Sequence, residues 1–137
     1  MGSTRGQLGS DRGQSIVETA LSVPLLAAML VGTLEASRLL LATVALTSGV
    51  LAGAQYGALS STSAADTTGI ATAVRSETTP IGGTSSNPTV TSSTATDGNG
   101  ETYVTVSSTY SWSSLFKFPG LPQTVSITRS AVTQVRR

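Results

Sequence analysis

The chain has 137 residues, a formal net charge of +1, and neither Cys nor His. Its eight Lys and Arg are scattered, so no basic run tracks a phosphate backbone and no nucleic acid is expected as a partner. A Cys nucleophile and a His general base are ruled out, a zinc site would have carboxylates alone to use, and Lys117 is the only lysine for a Ser–Lys pair; the expectation is a non-enzyme with no metal and no cofactor. Charged residues make up 11%, against about a quarter in ordinary soluble domains. Ser, Thr and Gly fill the gap, which fits a chain that is exported or packed among copies of itself.

Residues 1–13 are polar and Gly-rich and carry Arg5 and Arg12. Nothing in them builds a core, so they read as a basic leader or cytoplasmic tail. From Thr19 to Leu34 the chain is almost wholly apolar, and after Glu35 and Arg38 it stays apolar to Leu46. A bilayer span takes about 20 such residues. Arg5 and Arg12 precede the run and the next cation is Arg38, so the charge bias places the N-terminus inside. Helical pattern continues from Gln14 to about Leu59 with Pro24 as its one breaker. Such a helix would be roughly 65–70 Å long, with its first half in the membrane. Pro24 lacks the N–H that would reach the carbonyl of Ala20, so a kink is expected there.

Asp66 or Thr67 is placed to cap a short second helix ending near Arg75 or Glu77. Pro80 to Pro88 is a loop. Three strands follow: Thr89–Thr96, Glu101–Trp112 and Thr124–Val135. Asp97-Gly98-Asn99-Gly100 turns the chain between the first two. In the second, Val104, Val106, Tyr110 and Trp112 share one face; in the third, Val125, Ile127, Ala131 and Val135 do, with Arg129 at the margin. The expected fold is α+β: a long N-terminal transmembrane helix (14–59), a short second helix, and a three-stranded antiparallel meander packed on the outer half of the long helix. Residues 60–137 then form a small extracytoplasmic domain.

Three features stay open at this level. Small residues recur every fourth position along Ala20, Pro24, Ala28, Gly32 and Ala36, and again along Ala45, Gly49, Gly53 and Gly57. Gly costs about 1 kcal/mol against Ala in a helix, so something must pack on the second ridge: the protein's own sheet or a neighbouring subunit. Glu35 and Arg38 are spaced to pair on one helix face or to bridge subunits. The aromatic side chains Tyr103, Tyr110, Trp112, Phe116 and Phe118 are core, or else the loop from Leu115 to Leu121 presents a contact patch.

Gly13 is followed by Gln14-Ser15-Ile16-Val17-Glu18. A cut after Gly13 makes Gln14 the first residue and Glu18 the fifth (18 − 13 = 5). A carboxylate at the mouth of a membrane helix calls for a partner. The α-amine of a neighbouring copy is one, and pairing is stronger in low dielectric. The stretch GQSIVETALSVPLL resembles the processed N-terminus of type IV pilins, and in detail the TadE-like pseudopilins of the tight-adherence (Flp) system. The shared points are a basic leader ending at Gly13, the Val17-Glu18 pair and the Pro24-Leu25-Leu26 step. The helix continuation and the tail, FPGLP followed by TVSITRSAVTQVRR, are similar to that family too. Thr19 stands where the family often has an aromatic.

The resemblance implies that Gly13 and Gln14 flank the bond cut by a membrane prepilin peptidase and that Glu18 is the assembly carboxylate. It implies a minor pilin or pseudopilin without catalysis of its own. Its partners would be the peptidase, other pilin or pseudopilin subunits in a self- or hetero-oligomer, and the bacterial inner membrane, with the pilus as the destination after assembly. Gly32, Gly49, Gly53 and Gly57 would serve helix packing. The competing expectation is an uncut single-pass protein presenting an extracytoplasmic binding domain. Release by ordinary signal peptidase would need small residues before the cut, and Leu34-Glu35-Ala36 is a poor site.

Overall fold

A computed structural model of the chain describes residues 7–78, 87–117 and 123–136, with side chains from Gly13 onward. In chain order it contains α1 (Gln7–Gly57), α2 (Ser61–Ala65), α3 (Thr67–Thr78), β1 (Thr89–Thr96), β2 (Thr102–Ser113) and β3 (Thr124–Gln134). The strands form one antiparallel sheet in the order β1-β2-β3. The α+β expectation holds: a long helix, short helices and a three-stranded meander. Strand positions match the sequence reading to within one residue. Phe118 and the 80–86 stretch fall outside the described residues.

Two boundaries differ from expectation. α1 begins at Gln7, seven residues before Gln14 (14 − 7 = 7). Residues 7–13 contain no Pro, so nothing in them blocks the helix from propagating backwards. The region after α1 holds two helices instead of one. Ser60 caps α2, its Oγ accepting from the Ser63 N–H at 3.1 Å. Asp66 then ends α2 and starts α3. Its Oδ1 accepts the Gly69 N–H at 2.9 Å, the N-cap arrangement that satisfies an otherwise orphaned helix donor.

The chain divides into two units, residues 1–37 and 38–137. In the first, α1 runs on through Pro24. In the second, the remainder of α1 packs with α3 and the sheet in two clusters. Val50 and Ala54 of α1 meet Ile70 and Val74 of α3 and Val104 and Val106 of β2. Ala42 and Leu46 meet Tyr110, Trp112 and Ile127. Buried positions on β2 alternate without a gap from Val104 to Trp112, and the middle one is Ser108, fully buried. Arg129, opposite Ser108 on the edge strand β3, is exposed, and its guanidinium donates to the Thr128 carbonyl.

The hairpin between β1 and β2 closes around Asp97, whose Oδ1 accepts the N–H groups of Asn99 and Glu101, both at 2.9 Å. Gly100 adopts φ 80°, the left-handed conformation that glycine enters without penalty. Beyond β3, the N–H of Val135 donates to Thr102 and that of Arg136 to the Ala58 carbonyl, so the chain is tied back to the end of α1.

Candidate functional site

The first unit presents a bare helix. Nine of the ten large apolar side chains from Ile16 to Leu34 are between 48% and 72% exposed, and the tenth, Val31, is partly buried. The helix from Gly13 is long and apolar enough to cross a membrane, and none of its most apolar stretch is buried. Burying a side chain of this class is worth about 1.5–3 kcal/mol, so nine uncovered ones amount to a strong demand for lipid or for partner helices.

Four hydroxyls on this helix meet the requirements of an apolar surrounding. Thr19 Oγ1 donates to the Ser15 carbonyl at 2.9 Å and Ser22 Oγ to the Glu18 carbonyl at 2.7 Å. Thr33 and Ser37 repeat the pattern on Met29 and Thr33. Each hydroxyl is satisfied within its own helix, which removes most of the cost of placing it in hydrocarbon.

Gly13, Gln14, Glu18 and Pro24 are all exposed on this segment. A shallow groove on the same segment is lined by Ser15, Ile16, Thr19, Ala20, Val23 and Pro24. At about 100° per residue, Glu18 falls on the side of the helix away from that groove. The carboxylate and the small-residue groove therefore face different directions and can meet different neighbours.

The two small-residue ridges have different surroundings. A side chain at Gly32 would meet open space. A Cβ at Gly49 would lie 2.8 Å from the Val74 carbonyl oxygen, one at Gly53 2.6 Å from Val74 Cγ2, and one at Gly57 3.1 Å from Val104 Cγ2. The ridge that the sequence left to either the sheet or a neighbour is thus filled chiefly by α3, with β2 at its end.

The aromatic residues divide similarly. Tyr110 and Trp112 are core, while Leu115 and Phe116 are 60% and 43% exposed. Arg38 places its guanidinium 5.9 Å from the centroid of the Trp112 ring, a cation–π contact.

Sequence reasoning missed two features. One is Ser108, which stands in phase with Val106 and Tyr110 but is polar; its position in the alternation was the available signal. The other is the Tyr56–Asp66 contact, in which the phenol donates to Asp66 Oδ2 at 2.8 Å. The Gly69 N–H and then the Tyr56 hydroxyl hold the Asp66 carboxyl below its ordinary pKa, and the hydrogen bond to Asp66 raises that of Tyr56. Any side chain at Gly69 would collide with both groups. Among the described residues no cluster of acidic side chains is arranged to hold a metal.

Residues 13–55 match the family of TadE-like proteins. This segment is TadE-like. The match begins at Gly13 and covers α1 to within two residues of its end (57 − 55 = 2). The sheet lies outside the TadE-like segment. No curated protein and no solved structure matches the chain.

Proposed function

We propose that this chain is a minor pilin or pseudopilin. It is cut after Gly13 by a prepilin peptidase, held in the bacterial inner membrane with its N-terminus inside, and assembled through its N-terminal helix into or at the base of a tight-adherence pilus. Its role is structural, with no catalytic step of its own. The observation that carries this reading is the uncovered apolar helix inside a TadE-like match that starts at Gly13.

The helix passes through the 13–14 bond, and a peptidase must unwind the backbone it cuts. Gly13 eases that opening, because glycine is worth about 1 kcal/mol less than alanine in a helix interior. After the cut, the Gln14 α-amine of one subunit pairs with Glu18 of another, an exchange that compensates a carboxylate in low dielectric. Pro24 leaves the Ala20 carbonyl without its helical donor, which lets the helix bend or accept a donor from a neighbour. Gly32, with open space above it, is available to a neighbouring helix, whereas Gly49, Gly53 and Gly57 serve the protein's own domain.

Two substitutions test this in cells that carry an active prepilin peptidase. Gly13→Leu is expected to abolish the mobility shift that accompanies processing. Glu18→Ala is expected to leave the shift intact and abolish recovery of the protein with assembled subunits. A Glu18→Ala variant that is both processed and assembled would remove the pairing role.

A further inference from the structure

β3 is an edge strand, and among the described residues its one strand neighbour is β2. Two hydrogen bonds just beyond its ends fix which way its backbone points. The Ser114 N–H donates to the Gln123 carbonyl at 2.9 Å, and the Val135 N–H donates to the Thr102 carbonyl at 2.8 Å. Both pairs continue the β2–β3 register. Hydrogen-bonded and non-bonded pairs alternate along an antiparallel ladder. The odd-numbered residues of β3 therefore turn their N–H and C=O groups toward β2, and the even-numbered ones turn theirs outward. Thr124, Ser126, Thr128, Ser130, Val132 and Gln134 line this free edge, and their side chains are all exposed and uncharged. An edge of this kind is a template for another strand. At the opposite side of the sheet, β1 lies beside α3.

Arg129 stands at the middle of β3, five residues from either end (129 − 124 = 5, 134 − 129 = 5). Suppose a second copy pairs with this edge, antiparallel and over the full length of both strands. Thr124 then faces Gln134, Thr128 faces Ser130, and Arg129 faces the Arg129 of the other copy. Even-numbered residues face even-numbered ones, so this register satisfies the outward N–H and C=O groups. Its flaw is at the centre. The two Arg129 residues form a non-hydrogen-bonded pair, the kind that brings Cα atoms to about 4.5 Å, and like charges directly opposite are destabilising. Arg129 belongs to the same face as Val125, Ile127 and Ala131 yet is exposed, and its Nη1 donates to the Thr128 carbonyl at 2.9 Å. That carbonyl is one of the outward acceptors an incoming strand would use.

We propose that Arg129 keeps the free edge of β3 from pairing with β3 of a second copy. It does so by placing like charges at the centre of the full-length register and by occupying the Thr128 carbonyl. The edge lies wholly within the second unit, so this holds whether or not copies gather through their apolar helices.

Backbone hydrogen exchange tests the proposal on the isotopically labelled full chain in detergent micelles, at several ratios of protein to detergent. Native chain, Arg129→Thr and Arg129→Lys are compared. The amides of Ile127 and Ala131, bonded to β2, report the fold in each sample. In the native chain the Thr128 and Ser130 amides are expected to exchange fast at every ratio. In Arg129→Thr they are expected to slow several-fold, and further as the protein is concentrated. Arg129→Lys retains the charge and is expected to stay fast. Equally fast exchange in Arg129→Thr at every ratio would overturn the proposal, as would native amides that slow with concentration. Slowing in Arg129→Lys equal to that in Arg129→Thr would overturn it too.

Discussion

Ser108 and Asp66 show how single side chains set the stability of the second unit. Ser108 Oγ is buried without a hydrogen-bond partner among the described residues, the costly half of an unmade bond. Ser108→Ala removes it at almost no change in volume and is expected to stabilise the protein by about 1 kcal/mol in denaturant unfolding. Asp66 acts through charge. Its carboxyl titrates below the ordinary value of 3.8, so the folded state favours the ionised form. That contribution is complete above the ordinary value and is lost as pH falls through the lowered one. Acid unfolding of the native chain is therefore expected to show an extra loss of stability below about pH 4 that Asp66→Asn does not show. The cap was legible in the sequence as a choice between Asp66 and Thr67. The Tyr56 bond was not, because it joins residues ten apart across a helix end that only packing brings together.

At the scale of elements, α1 behaves as two helices joined end to end. Beyond Arg38 its buried face is Ala42, Leu46, Gly49, Val50, Gly53, Ala54 and Gly57, the 3.6-residue period of a helix lying on a core. Before Arg38 the large side chains other than Val31 are exposed. This difference separates the glycines. Gly49→Ala drives a Cβ against the Val74 backbone carbonyl, which cannot swing aside as a side chain can, and is expected to cost about 1–3 kcal/mol. Gly32→Ala meets nothing and is expected to leave the stability of the isolated chain unreduced while weakening association of the helix in detergent or bilayer. The strands were legible because period-two alternation and the Asp97–Gly100 turn are local signals. The partner of the glycine ridge was not: spacing reports that a face is small, and the docking of α3 on it depends on contacts distant in sequence. The early start of α1 was missed for a related reason, since a leader is defined by what removes it and helix propagation ignores that boundary.

For the whole molecule, the two units answer different demands. Residues 38–137 carry their own core, whereas residues 13–37 expose apolar surface that lipid or other subunits must cover. The TadE-like match spans the second kind of surface and the part of α1 that enters the core, and ends before the sheet. The proposed function depends on where the mature helix begins, because a cut after Gly13 sets Glu18 as its fifth residue and an uncut chain leaves it eighteenth. The most direct measurement is the N-terminal residue of protein recovered from membranes of cells with an active prepilin peptidase. The account predicts Gln14; a chain still carrying residues 1–13 would contradict it.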